Sequence, residues 1–224
     1  MISSTCSTRT SSRRPSTTMQ VKGFHSTFST SIPLHARHEY AACNLFVLHE
    51  LPADIIIDSF ELNDHGLSFQ FVGNTNLELP MSGVANESGW LLVAVKPEAD
   101  LIVVDVPLHV RYGVPQEGHD PRHIIQLPPP TCFWACPSSY KSLHNTLPSQ
   151  SPKFHLLNSS AQFEIFQHTT SSLLSFDIPV GNINHTLYIE LCTVTVTLLA
   201  FVYVVQHCWT ISKTLYYDVH LKMQ

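Results

Sequence analysis

The sequence predicts an all-β domain with an antiparallel, sandwich-like arrangement, followed by one C-terminal transmembrane helix. Short apolar runs recur through the middle of the chain, separated by Pro, Gly, Asn and Asp, which is typical of strands joined by turns. One run alternates strictly, with Leu67, Phe69 and Phe71 on one face. A much longer apolar run stands near the C-terminus. Together these patterns favour a β-rich body carried by a membrane anchor.

Seven segments carry the strand pattern, at a spacing typical of antiparallel sandwiches and barrels. Between them we find no convincing helical period, so we expect helix only in the membrane anchor. The segments are residues 43–48, 55–62, 66–73, 90–95, 101–112, 163–166 and 173–178.

The apolar run at residues 187–205 is predicted to be the membrane span. It carries no charge from Leu191 onward, and counted back to Thr186 it reaches the roughly 20 residues that a helix needs to cross a bilayer. A buried strand is the alternative, because residues 193–197 alternate between Thr and Val. The length of the run favours the helix, as do the flanking aromatics Tyr188 and Trp209.

The basic residues predict how the chain is oriented in the membrane. No Lys or Arg occurs between Lys153 and Lys213, whereas the tail beyond the span holds Lys213 and Lys222. Because basic flanks are retained in the cytosol, we expect a type I single-pass protein with its main domain in the lumen. The predicted divisions are a disordered Ser/Thr/Arg-rich segment at 1–20, a lumenal β-rich domain at 21–184, a transmembrane helix at 186–206 and a short cytosolic tail at 207–224.

The first 18 residues are rich in Ser, Thr and Arg and have no acidic residue. Such a segment cannot bury a core, and it lacks the apolar region of a secretory signal. Because a lumenal domain needs an entry signal, we expect this first segment to be incomplete or misassigned. The alternative is that the C-terminal span itself directs insertion.

Composition and motifs exclude some function classes. A net charge of -5 with 13% charged residues and no basic cluster gives no electrostatic footprint for nucleic acid. The chain has no G-x-S-x-G elbow, no Gly-rich phosphate loop and no recognisable pair of carboxylates. We therefore expect no catalytic centre and no cofactor.

Residues 108–112, LHVRY, form the candidate site within the β-rich domain. Strand alternation is expected to send Leu108, Val110 and Tyr112 inward and to leave His109 and Arg111 together on the opposite face. Pro107, just before them, would mark an edge or a bulge. A His beside an Arg suits an anionic head group, although a solvated face or a structural ion pair is the commoner outcome.

The chain has 14 histidines, which raises the possibility of a metal site. The closest groupings are His35 with His38 and His119 with His123, and neither has the second pair of ligands that would close a tetrahedral site. We therefore predict no metal. The alternative hypothesis from the enzyme class is that the domain is a hydrolase or metal enzyme that uses His109, His119 or His123.

Cysteines and glycosylation triplets bear on the lumenal assignment. Disulfides are permitted in the lumen, and the spacing of Cys132 and Cys136 makes them the candidate pair, while Cys43 bonded to either one stays open. Asn86 and Asn158 begin N-x-S/T triplets in predicted turns and are the candidate glycosylation sites. Three further residues are discounted for these roles: Cys192 and Cys208 lie at the span, and Asn184 lies too close to the bilayer.

Within the span, Glu190, Thr193 and Thr197 have the spacing of one helical face. A carboxylate inside a membrane is costly unless it reaches the interface or meets a partner. The stripe is thus a candidate partner contact, and a Glu190 that simply reaches the lumenal head groups is the equally strong alternative.

Five blocks of the chain resemble successive blocks of the PIG-X family, in the family's order. The most specific is the P-x-H-x-R-Y-x-x-P pattern formed by Pro107, His109, Arg111, Tyr112 and Pro115. A terminal PVG followed by one span completes the resemblance. The blocks are KGFHSTFSTSI (22–32), CNLFVLHELPADIIIDSFEL (43–62), PLHVRYGVPQEG (107–118), PPPTCFWACP (128–137) and IPVGNINHTLYIELCTVTVTLLAFVYVV (178–205).

The resemblance implies a type I endoplasmic-reticulum membrane protein that stabilises the first mannosyltransferase of glycosylphosphatidylinositol (GPI) anchor assembly without performing its chemistry. The implied partner is PIG-M, the multispanning catalytic subunit. His109, Arg111 and Tyr112 then become candidate partner contacts, together with the stripe in the span. An adhesion or receptor-like ectodomain on a single span is the alternative function.

Overall fold

The computed structural model describes residues 15–34, 40–84, 88–138, 147–148, 151–158, 160–166 and 173–221, the last eight of these by their backbone only. The chain divides into two units. The first comprises the described residues up to Val114 together with Arg122–Val180, and the second comprises Pro115–Pro121 and the chain from Gly181 onward.

The first unit is built from antiparallel strands. Its described residues form eleven strands, one short α-helix, α1 (Ser59–Asp64), and a 3-10 turn at Met81–Gly83. The strands are β1 (Ser16–Lys22), β2 (His25–Pro33), β3 (Asn44–Leu51), β4 (Ile55–Ile56), β5 (Ser68–Val72), β6 (Gly89–Val95), β7 (Leu101–Val110), β8 (Arg122–Leu127), β9 (Thr131–Cys136), β10 (Gln162–Ile165) and β11 (Leu174–Pro179).

These strands form three sheets. The four-stranded sheet has the order β1-β2-β7-β4, the five-stranded sheet has the order β10-β9-β3-β6-β5, and β11 pairs with β8 alone. Every pairing between named strands is antiparallel. The predicted fold class, an antiparallel β-rich body with one apolar C-terminal helix, is therefore confirmed.

The main core lies between the two larger sheets. Buried residues such as Phe28 and Val106 from the four-stranded sheet pack in one cluster with Val47 and Leu91 from the five-stranded sheet. The alternating face of residues 66–73 is confirmed, because its three apolar side chains pack against this cluster.

A second apolar cluster covers the other face of the five-stranded sheet. Phe46 and Leu48 of β3 contribute to it, as do Trp90 and Leu92 of β6, and Phe154 packs from outside the sheet. Both faces of β3 and β6 are therefore buried, which explains why these strands read as continuous apolar runs rather than as alternating ones.

The first two strands, β1 and β2, form a hairpin that the strand pattern of the sequence did not predict. Its two-residue turn begins at Gly23, with a φ of 64°, and Phe24 follows with a negative φ, as in the type II′ turns that favour Gly first. The segment 1–20 was predicted to be disordered. Since β1 begins at Ser16, residues 16–20 form a strand instead. Residues 1–14 lie outside the described part of the chain.

Helix α1 corrects the later part of the strand predicted at residues 55–62, of which only Ile55 and Ile56 form a strand, β4. The Asp58 carboxylate caps the helix by accepting from the backbone N–H of Phe60 at 2.8 Å. At the other end Gly66, with a φ of 69°, donates to Asn63, and Leu67 donates back to the carbonyl of Leu62. This is a Schellman termination, which needs Gly at that position. Local capping chemistry thus overrides the apolar run.

The second unit contains α2 (Thr186–Leu221), a helix of 36 residues. Among the described residues it is the one helix long and apolar enough to cross a membrane, with a mean hydropathy of 2.0 over its apolar part. Its helical turns continue beyond residue 206, where the span was predicted to end. At the far end the Lys213 ammonium lies 5.4 Å from the Trp209 ring centre, as in an interfacial pair.

A short connection precedes α2 within the same unit. Residues 116 and 182 form a parallel bridge, and the Asn182 side chain both donates to the carbonyl of Gly118 and accepts from the backbone N–H of Asn184. Residues 115–121 are thereby tied to the segment that leads into α2.

Candidate functional site

The candidate site lies where β7 ends. β2 runs along one side of this strand, and β4 pairs with its last two residues, His109 and Val110. α1 also packs against β7. The side chains of the sequence pattern P-x-H-x-R-Y are therefore held among several separate segments of the first unit.

His109 is part of a compact group of titratable side chains. Its Nε2 lies 2.5 Å from Oε2 of Glu61 on α1, and its ring meets the ring of His25 edge-on at a centroid distance of 4.5 Å. The side chains of His109 and Glu61 are 22% and 35% exposed, so this contact is partly shielded from water. His109 thus fastens α1 to the sheet.

Arg111 does not share the exposed face predicted for it with His109. Strand β7 ends at Val110, so the period of two no longer applies, and Arg111 is only 2% exposed. Its guanidinium faces backbone carbonyls instead of a carboxylate. Nε donates to Ala53 at 3.2 Å, Nη1 to Asn76 at 2.7 Å and Leu79 at 2.8 Å, and Nη2 to Asn74 at 3.3 Å.

These contacts make Arg111 a clamp on two loops. Its backbone N–H also donates to the carbonyl of Asp54 at 2.7 Å, so one residue holds both residues 53–54 and the loop at 74–79. The loop has turns of its own, since the side chains of Asn74 and Asn76 accept from backbone N–H groups two residues ahead. Burial lowers the pKa of Arg111 below its ordinary value, but an arginine stays charged in proteins.

Tyr112 was predicted to point inward and instead is 52% exposed. Its ring stacks on Phe24 at a centroid distance of 5.9 Å, and its carbonyl accepts from the backbone N–H of Met81. The prediction was wrong for the same reason as for Arg111. Of the three candidate contacts, Tyr112 is the most open to solvent.

A second acid and histidine pair lies in the same unit and was missed as a pair from the sequence. Nε2 of His123 on β8 is 3.1 Å from Oδ2 of Asp54. Asp54 belongs to the loop that Arg111 holds, so the two contacts are linked through it. Residues 54 and 123 are far apart in the sequence, and no local signal connects them.

The metal hypothesis finds no site in the described part of the chain. There, no three His, Cys, Asp or Glu side chains are grouped closely enough to hold an ion. His119 belongs to the second unit and His123 to the first. His35 and His38 lie outside the described residues.

The disulfide joins Cys43 to Cys136, so the candidate pair Cys132 and Cys136 is wrong. Asn44 stands opposite Ala135 in the register of β3 and β9, which puts Cys43 directly opposite Cys136, with Cα atoms 4.3 Å apart. Two cysteines four apart on one strand are separated by about 13 Å, beyond disulfide reach. Cys132 is a free, buried thiol, and burial raises its pKa to about 12.

The glycosylation triplets are placed as follows. Asn158 is exposed, and its Oδ1 accepts from the backbone N–H of Ser160 at 3.3 Å and from the Ser160 hydroxyl at 3.2 Å. Asn184 precedes the first residue of α2 by two positions. Asn86 lies outside the described residues.

The stripe on α2 has its threonine hydroxyls already bonded. Thr193 donates to the carbonyl of Ile189 at 2.7 Å, and Thr197 donates to the carbonyl of Thr193 at 2.8 Å. Such back-bonding satisfies the hydroxyls within the helix. The remaining polar group of the stripe is Glu190, which belongs to the first turns of α2 and is exposed.

A family model described as PIG-X / PBN1 matches residues 21–209. The chain belongs to the PIG-X / PBN1 family. None of the curated proteins compared with it matches significantly.

The family match covers both units of this PIG-X / PBN1 protein. It starts within β1 and ends at Trp209, so it includes the disulfide, the clamp around Arg111 and the apolar part of α2. PIG-X / PBN1 membership gives the chain an accessory role in GPI-anchor biosynthesis, and α2 fits a single-pass protein of the endoplasmic-reticulum membrane.

Proposed function

We propose that this protein is the non-catalytic stabilising subunit of the GPI-anchor α-1,4-mannosyltransferase I complex, in which it supports transfer of the first mannose to the GPI precursor. The proposed partner is PIG-M, the multispanning catalytic subunit. The observation that carries the proposal is the family match over residues 21–209.

The use of the polar side chains in the first unit supports a scaffold role. Arg111 is bonded to loop carbonyls, His109 to Glu61, and His123 to Asp54. Each contact joins separate segments, so these groups fix the shape of the surface at the end of β7. A fixed surface favours binding because less conformational entropy is lost on association.

We propose the orientation with residues 21–184 in the lumen and residues 207–224 in the cytosol. The disulfide between Cys43 and Cys136 supports it, because disulfides persist in oxidising compartments. The Lys213 contact on Trp209 supports it as well, since Lys is retained at the cytosolic end of a span. Glycans on Asn86 and Asn158 belong to the same proposal.

We also propose that the stripe on α2 contacts a helix of the catalytic subunit. The threonine hydroxyls are bonded within α2, so Thr193 and Thr197 would contribute shape rather than hydrogen bonds. Glu190 would supply the polar contact, since a carboxylate near the membrane is stabilised by a partner. Stabilisation of the catalytic subunit then follows by mass action, as for any partner that binds only the folded form.

The test is co-purification from membranes that contain a tagged copy of the full chain and the catalytic mannosyltransferase subunit. We expect the subunit to be recovered with the tagged chain, and we expect its level and the amount of surface GPI-anchored protein to fall when the chain is removed. A catalytic subunit that stays fully stable and active without the chain contradicts the proposal, as does residence of the chain at the plasma membrane.

A further inference from the structure

Strand β7 has one open side. Along its length it pairs with β2, whereas β4 covers only His109 and Val110 on the opposite side. Within the described residues, no other strand lies beside residues 101–108 there. The four-stranded sheet therefore presents an unpaired stretch of edge.

The hydrogen bonds around β7 show which backbone groups face this open side. Val110 donates to Phe24 on the β2 side, while Arg111 donates to Asp54 on the β4 side. Since direction alternates along a strand, Leu101, Val103 and Asp105 point their N–H and C=O groups away from β2. Within the part of the chain that the structure describes, they form a row of donors and acceptors without a strand partner, of the kind that another strand completes.

Pro107 stands on the same side and limits this row. It has no N–H to donate, which suits an edge position, so the expectation that Pro107 marks an edge agrees with the sheet order. Before Pro107, residues 101–105 of the edge have no proline to prevent pairing. The side chains of Leu101 and Val103 are each 53% exposed, although apolar residues on an open edge invite pairing.

A cleft adjoins the open edge. It has a volume of about 630 Å³ and is lined by Val103 and Asp105 of β7 together with Leu67, His65 and Lys96 from the other side. Asp105 and Lys96 therefore place opposite charges on the two sides of a space that has both polar and apolar walls. An occupant must satisfy a row of backbone groups and present both apolar and charged side chains.

We infer that the open edge of β7 binds an extended lumenal segment of the catalytic subunit, which adds a strand to the four-stranded sheet. Only an extended backbone matches the donors and acceptors of Leu101, Val103 and Asp105 at the spacing of a strand. The segment has alternate apolar residues that enter the cleft, and a basic residue that meets Asp105. This inference rests on the proposed function and names the surface that performs it.

A charge on the edge tests the inference. The double change Leu101→Lys and Val103→Lys introduces two cations at half-exposed positions, where the fold tolerates them. We expect recovery of the catalytic subunit with the tagged full chain to fall more than tenfold. The matched control is Ile124→Lys on β8, whose side chain is 63% exposed, and we expect recovery within twofold of the unchanged chain.

A photoreactive phenylalanine at position 103 of the otherwise unchanged full chain gives an independent measurement. We expect crosslinks to a lumenal segment of the catalytic subunit and none from position 124. Crosslinks to a second copy of this chain or to lipid overturn the inference, as does undiminished recovery with the double variant. Failure of the unchanged chain to recover the subunit would instead overturn the proposed function itself.

Discussion

Oε2 of Glu61, on the first turn of α1, lies 2.5 Å from Nε2 of His109, at the end of β7. The contact links a six-residue helix to the sheet by a pair of side chains that is only partly exposed. A helix this short has little stability of its own. Its position therefore depends on contacts of this kind and on the burial of Leu62.

The pair predicts a measurable coupling between the two side chains. We expect Glu61→Ala and His109→Ala each to lower the thermal stability of the solubilised full chain, and we expect the double variant to lose less than the sum. Because the two side chains are 22% and 35% exposed, the coupling should be about 1 kcal/mol or below. Strict additivity in thermal unfolding would show that the contact contributes nothing.

The clamp predicts that Arg111→Lys is not a conservative change. Lysine has three donors on one atom and cannot reproduce the fork that meets four carbonyls. We expect a loss of about 2–3 kcal/mol in the free energy of unfolding, with faster proteolysis in the loop at 74–79. Arg122→Lys is the control, since its contact with Asp177 is about half exposed and is worth at most about 1 kcal/mol. Equal effects of the two changes would contradict the clamp.

The sequence predicted β3, β5, β6, β7, β10 and β11 from their apolar runs. It missed β8, whose burial alternates, and β9, which is almost continuously buried. It failed for the β1–β2 hairpin, because two of the buried positions on β2 are Ser26 and Thr30, which weakens the apolar period. The prediction failed for α1 because it followed the apolar run at residues 55–62. The capping pattern of Asp58 and Glu61 and the glycine at 66 were not used. Those capping signals were present in the chain.

The pattern at residues 107–115 located the candidate site, but the contacts of its side chains could not be predicted from the sequence. The orientations of Arg111 and Tyr112 depend on where β7 ends, and the pairing of Cys43 with Cys136 depends on the register of β3 and β9. Both are set by packing between distant segments, and a single sequence does not carry that information locally.

The disulfide predicts a difference between Cys43, Cys132 and Cys136, the three described cysteines of the first unit. Cys43→Ser or Cys136→Ser should lower stability by about 2–5 kcal/mol and slow the chain on non-reducing gels. Cys132→Ala should leave the disulfide intact and cost only the packing of a small buried side chain. In the folded protein at pH 8, Cys132 should resist alkylation, because the raised pKa keeps it a thiol. Rapid labelling of Cys132 without denaturant would contradict this assignment.

The buried hydroxyl groups of Ser26 and Thr30 on β2 have no hydrogen-bond partner among the described residues. Removal of the Thr30 hydroxyl is predicted to stabilise the protein. The Thr30 side chain is fully buried, and its Oγ1 has no hydrogen-bond partner among the described residues. Thr30→Val keeps the shape and removes the unsatisfied group, so we expect a gain of about 1 kcal/mol. Thr27→Val, on the opposite face of the strand, should change stability by less than about 0.5 kcal/mol. A lower melting temperature for Thr30→Val would contradict the expectation.

The proposed orientation predicts glycan attachment at Asn158 and none at Asn184. Deglycosylation of the membrane-bound chain should increase its mobility, and Asn158→Gln or Ser160→Ala should remove one step of that shift. Asn184→Gln should leave the pattern unchanged, because this residue lies just before α2. Loss of a step only in the Asn184 variant would contradict the predicted choice of site, and the absence of any shift on deglycosylation would contradict the predicted topology.

The length of the apolar part of α2 bears on where the protein resides. Residues 187–205 of the helix extend about 28 Å at the usual rise per residue. The hydrocarbon layer of the reticulum is about 27 Å thick, while that of the plasma membrane is about 32–33 Å. The anchor therefore suits the thinner bilayer, and hydrophobic mismatch would oppose its onward transport. Five added leucines in the middle of the span should release the chain towards the cell surface.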